Sequence, residues 1–136
     1  MNPEQFKQRT RAFALRVVRL VEALPESRAG AVIGRQLLRC GTSVGANYRA
    51  ACRARSRAEF VAKMGIVEEE CDESLYWTEL LIESGLIERT LLESLMQEAD
   101  EILSLIVASI KTARAENKRE IRNPKSEIGS EVGNVA

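Results

Sequence analysis

The sequence predicts an all-α protein, an antiparallel up-down-up-down four-helix bundle. Three observations carry that expectation. Apolar residues recur every three or four positions in four long segments, and no alternating strand pattern competes with them. Helix start and stop signals separate the segments by short connections, which favours antiparallel neighbours. Hydrophobic residues make up 45% of the chain but aromatics only 4%, so Leu, Val, Ile and Ala must fill the core. A sandwich would draw more on β-branched and aromatic residues. At 136 residues the chain is one domain with a single core.

Each helix has its own signals. Asn2 is a candidate N-cap with Pro3 in the first helical position, where a missing N–H costs nothing. Phe6, Phe13, Val17, Leu20 and Leu24 follow, and Pro25 closes the first helix. A loop, Glu26 to Ala29, leads to the second helix, whose seam reads Ile33, Leu37, Cys40, Val44 and Ala51. Ser56-Arg57-Ala58-Glu59 has the form of a capping box and starts the third helix. Its stripe is Phe60, Met64, Val67, Cys71, Ser74, Thr78 and Leu81, and Gly85 supplies the stop. Thr90-Leu91-Leu92-Glu93 has the form of a second capping box. The fourth helix runs through Leu92, Leu95, Ala99, Ile102, Ile106 and Ala113, flanked by Met96, Leu103 and Ile110. The bundle is expected over residues 1–119. The segment 120–136, with Pro, Gly and Ser and no periodicity, is expected to be a disordered tail.

The formal net charge is zero, yet the charges are segregated. Residues 1–63 carry thirteen Lys/Arg and four Asp/Glu, whereas residues 64–101 carry twelve acids and one base, Arg89. Such asymmetry points to charge matching between helices or subunits, or to a basic face for nucleic acid. Cys40, Cys52 and Cys71 form no CxxC pair and sit at apolar helical positions, so free, reduced, buried thiols are expected. The N-terminus MNPEQFKQRTR has no apolar run behind its charges, and every apolar stretch is broken before a membrane span. A cytoplasmic protein is the expectation, with no membrane association.

The candidate functional residues cluster between Leu37 and Phe60. Arg35, Arg39, Arg49 and Arg53 return to one face of helix two, continued by Arg55 and Arg57, and Arg9, Arg16 and Arg19 form a second stripe on helix one. These arginines can contact phosphates or pair with the acidic third helix. Only Tyr48 offers a nearby ring, so base stacking is not indicated. Gly34, Gly41 and Gly45 each cost up to about 1 kcal/mol relative to alanine inside a helix, which tight helix–helix contact would justify. Asn47 falls on the seam, three residues after Val44 and four before Ala51, where a paired asparagine fixes register or oligomeric state. With a small rotation of the helix it faces water instead. Trp77 beside Tyr76 marks a packing or interface position.

One constellation could carry chemistry. Glu69, Glu70 and Glu73 spell EExxE, and Glu98 with Glu101 gives ExxE on the next helix. Carboxylates at this spacing on facing helices can hold Mg²⁺, as in all-α nucleotide pyrophosphohydrolases, although that family usually ends the pattern in Asp. A hydrolase of that kind is the alternative reading. The chain has no histidine, which excludes a ferritin-like di-iron site and His-based triads. No catalytic residue and no cofactor is indicated otherwise.

The stretch Leu37 to Ile87 resembles the bacterial four-helix-bundle family of 23S rRNA intervening-sequence proteins. The shared positions are Gln36, Arg39, Ser43, Asn47, Ser56, Glu59, Phe60, Glu79 and Leu80. Ser43, Asn47 and the Ser-x-x-Glu-Phe helix start occur together at the family's separations. Tyr48-Arg49-Ala50-Ala51 departs from it, since many members have I-A-E-G there. The resemblance implies a bundle commonly assembled as a homopentamer with a central channel. It gives Ser43, Asn47, Ser56, Glu59 and Phe60 structural or assembly roles. It implies no enzymatic activity; the partners it suggests are other copies of the chain, and RNA, DNA or a nucleic-acid-handling protein.

Overall fold

A computed structural model of the chain describes residues 1–123, which form four helices and no strand. They are α1 (Pro3–Glu22), α2 (Arg28–Ala51), α3 (Arg57–Glu83) and α4 (Arg89–Arg122). The expected tail lies mostly outside the described residues, but Glu120, Ile121 and Arg122 are the last residues of α4.

Helix ends follow local chemistry, with two departures from the sequence reading. Asn2 Oδ1 accepts from the Gln5 N–H, and Gln5 Oε1 returns to the Asn2 N–H, a full capping box with Pro3 at the start. Ser56 Oγ caps the Glu59 N–H, but the Glu59 carboxylate reaches one residue further back than expected, to the Arg55 N–H. The second expected box does not form. Helix α4 starts at Arg89 with Glu88 as an N-cap that makes no side-chain cap bond. The turn after α3 sets this register: Gly85 takes φ +80°, and Ile87 N–H closes onto the Leu81 carbonyl, so the chain enters α4 before Thr90 can cap.

Cross-helix contacts define the topology. Phe6 meets Tyr48 edge-on at 4.7 Å, Thr10 lies against Gly45 and Val17 against Gly41, so α1 and α2 run antiparallel. Cys40 meets Ser74 between α2 and α3, Cys71 meets Ala99 between α3 and α4, and Arg9 and Arg16 meet Glu98 and Ser94 between α1 and α4. The α1–α4 seam is by far the thinnest of the four. The predicted stripes of α3 and α4 are buried throughout, with Met96 and Leu103 at the edge. On α2, Tyr48 at 2% exposure occupies the seam in place of Asn47, because the helix turns the Gly34–Gly41–Gly45 face to α1 and carries the core line through Val44 and Tyr48.

The glycines of α2 seat α1. A Cβ at Gly41 would lie 2.8 Å from Val17 Cγ1 and 2.9 Å from Cγ2, and one at Gly45 would lie 3.0 Å from Thr10 Oγ1. Valine holds one strongly preferred rotamer in a helix and cannot swing aside. By contrast, a Cβ at Gly65, within α3, meets nothing within 4 Å. We therefore expect opposite signs from one substitution. Gly65→Ala should raise the urea midpoint by the equivalent of about 0.5–1 kcal/mol, and Gly41→Ala should lower it despite the same gain in helix propensity.

A buried ion pair ties the far end of α4 to the start of α3. Arg57 is 3% exposed and pairs with Glu120, itself 5% exposed, and with Glu116 at 3.3 Å. Removing one partner from such a pair leaves an uncompensated buried charge, costing about 3–5 kcal/mol. Arg57→Leu should therefore destabilise by that order, and adding Glu120→Leu should recover most of the loss in the same denaturation series.

Candidate partner-binding faces

The basic residues separate into paired and unpaired sets. Arg39 is bound to α3, with Nη1 3.3 Å from Glu70 Oε2, a further bond to Glu73, and Nε on Gln36 Oε1. Arg57 is consumed inside the bundle. Arg9 forms a two-pronged bond to Glu98 at 2.9 and 2.7 Å and reaches Glu101 at 3.2 Å. Arg16 donates to Ser94 Oγ at 3.0 Å. Arg35, Arg49, Arg53 and Arg19 are exposed and enter no ion pair among the described residues.

The acidic constellation is divided between two arginines. Glu70 and Glu73 face α2 and Arg39, Glu98 and Glu101 face α1 and Arg9, and Glu69 points outward. Among the described residues no group of three or more His, Cys, Asp or Glu could hold a metal ion. The EExxE and ExxE segments lie on adjacent helices but turn to different neighbours.

A groove on the outer side of the α1–α2 seam was not apparent from spacing alone. It encloses about 540 Å³ and has a floor of small residues, Ala14, Thr42, Gly45 and Ala46. Lys7, Arg11 and Arg49 line its rim, with Gln8, and Glu4 neutralises part of Lys7 at 3.4 Å. Lys7 and Arg11 lie off the Arg9, Arg16 and Arg19 stripe read from the sequence, on the α2 side of the same helix. Their i, i+4 spacing is the signal that could have found them.

The chain matches the 23S rRNA-intervening sequence protein family over residues 4–108. It belongs to that family. No curated protein matches it. It is similar to the crystal structure of a protein of unknown function from the S23 ribosomal protein family of Bacteroides thetaiotaomicron VPI-5482. The two share 40% identity and a TM-score of 0.76, over 82% of this chain and 99% of that one.

Ser43 Oγ donates to the Arg39 carbonyl and Asn47 Nδ2 to the Ser43 carbonyl, so both half-buried side chains donate to their own helix. Phe60 is core, and Ser56 and Glu59 order the α2–α3 turn. The Glu59 carboxyl is held below its usual range by the Arg55 N–H and by Lys63. No described helix is long and apolar enough to cross a membrane.

The two buried thiols, Cys40 and Cys71, are not poised for chemistry. Burial, then Asp72 and Asp100, push the Cys71 thiol up to about 12, and burial also raises Cys40. Cys52 is half-buried, less than expected, because it follows the last turn of α2. Burial and a bond to Cys52 raise the Tyr48 hydroxyl well above its usual value.

The α1–α4 latch should be acid-sensitive. The hydrogen bond from Arg9 holds the Glu98 carboxyl below its ordinary 4.5. A carboxylate depressed in the folded state stabilises above its unfolded pKa and loses that contribution as pH falls through the folded value. Glu98→Gln should melt below wild type at pH 7. The gap should close as pH drops below about 4.5, read from melting temperature against pH.

Proposed function

We propose that this protein is a non-enzymatic, homo-oligomeric scaffold of the cytoplasm, a pentamer as the family resemblance implies, with a basic outer face that contacts RNA, DNA or a nucleic-acid-handling protein. The observation that carries the reading is the surplus of outward cations. Arg35 on α2, Arg53 in the turn after it, and Arg19 on α1 leave their charges unspent within the bundle, although the chain as a whole is neutral. Four other arginines find acceptors on neighbouring helices, so the exposed ones left without an acceptor favour an external anion. A non-enzymatic role is supported by the sequence without histidine, by carboxylates tied to arginines and by buried thiols whose pKa is raised. The Mg²⁺-dependent hydrolase reading gains no comparable support.

Two measurements test the proposal. Light scattering of the purified chain should give a mass several times the 15.2 kDa of one copy. Filter binding of structured RNA should weaken linearly in log K against log salt. Replacing Arg19, Arg35 and Arg53 by Gln should reduce the slope by about 0.9 for each phosphate contact removed. Absence of binding at low salt would discard the nucleic-acid part, and a monomer at all concentrations would discard the scaffold.

A further inference from the structure

The outer face of α3 is acidic, and it carries an aromatic ring that the bundle does not use. Tyr76 is 53% exposed. Its ring stands edge-on to Trp77, with centroids 5.0 Å apart, and Trp77 is fixed in turn by an Nε1 bond of 2.9 Å to Glu73. The ring is therefore both projecting and braced. Asp72 and Glu79 lie one turn before and after it on the same face, and Glu69 and Glu83 two turns away. All four carboxylates are exposed and enter no ion pair among the described residues.

The α1–α2 groove is the counterpart of this knob. Its floor of Ala14, Thr42, Gly45 and Ala46 leaves room for a ring, and Lys7, Arg11 and Arg49 line it with charge opposite to that around Tyr76. No large apolar side chain lines the groove, so it lacks the anchor of its own that an interface core needs, and a tyrosine from outside supplies one.

We propose that the groove receives Tyr76 of a second copy of this chain, with the acids around the ring paired to Lys7, Arg11 and Arg49. The inference rests on the self-assembly reading above and names the surfaces that carry it. Groove and knob lie on different helices of one bundle, so the contact is head-to-tail. Each copy offers one of each, and the assembly propagates until it closes into a ring. Arg35, Arg53 and Arg19 stay outside the contact and remain available to a further anionic partner.

The test uses two single variants of the full chain, each damaged on one side only. Tyr76→Ala removes the knob. Ala46→Trp fills the groove from an exposed position of α2. Both should keep wild-type helicity by circular dichroism. In light scattering each alone should associate at least about tenfold more weakly than wild type, with the residual association lost as salt is raised. An equimolar mixture should form a one-to-one dimer, because it holds one intact knob and one open groove and cannot extend further. Wild-type mass for either single variant would overturn the proposal, as would a mixture that stays monomeric. If wild type itself is monomeric, the self-assembly reading fails and takes this contact with it. If Ala46→Trp keeps its mass but no longer retains RNA on a filter, the groove is a nucleic-acid face and the proposal is wrong.

Discussion

The closeness of α1 to α2 is the constraint on which the remaining structure depends. Helix α1 gains little from α4, with which it shares a thin, polar seam. Its attachment comes from laying Val17, Thr10 and Leu24 directly over Gly41, Gly45 and Gly34. Three glycines inside one helix each sacrifice helix propensity, and the return is an approach that any side chain would prevent. The same small residues continue around α2 through Thr42 and Ala46, which is why the outer side of the seam is concave. The groove is thus a by-product of the packing that holds α1, and the cations at its edge occupy positions that the packing leaves free.

Neutrality of the whole chain conceals how little of its charge is settled internally. Arg9, Arg39 and Arg57 pair with α4, α3 and α4 respectively, each across a helix–helix boundary. Those pairs help set the register of neighbouring helices, and Arg57 with Glu116 and Glu120 ties the last turns of α4 to the start of α3. Partly exposed pairs such as Arg39 with Glu73 add little stability in water, so their contribution is chiefly to orientation. What remains is a cationic surface on α1 and α2 and an anionic one on α3.

The fold was legible almost entirely, because every helix had a clear apolar period and all but α4 a start signal that agreed with it. Phe60 to Leu81 on α3 shows this well: every position of its stripe is buried as read. Errors arose where two registers differed by a fraction of a turn. Spacing from Val44 to Ala51 admits Asn47 or Tyr48 on the seam, and only the pull of Gly34, Gly41 and Gly45 toward α1 selects Tyr48. Thr90 likewise has the form of a cap because Glu93 follows it, but the turn at Gly85 brings the chain into helix two residues sooner, with Glu88 as the N-cap. The candidate site was less legible. Which arginines are spent depends on long-range partners, as with Arg9 and Glu98, and sequence spacing within one helix carries no trace of these. The groove was hidden for the same reason, since it takes Lys7 and Arg11 from one helix and Arg49 from another.

Segregated charge also constrains the kind of assembly such a bundle can make. In an isologous contact the same patch meets itself, so two α3 faces would set Glu69, Asp72, Glu79 and Glu83 against their own copies. Two α1–α2 faces would do the same with Lys7, Arg11 and Arg49. Like charges directly opposed across an interface cost several kcal/mol, and among the described residues α1, α2 and α3 expose only Leu15, Val32, Ile66 and Tyr76 as large apolar side chains to offset it. A contact between unlike faces escapes both penalties. In the proposed contact it sets the braced Tyr76 ring against the small-residue floor of the α1–α2 groove. If copies of a neutral chain whose segments carry opposite charge associate, that segregation favours their meeting front to back.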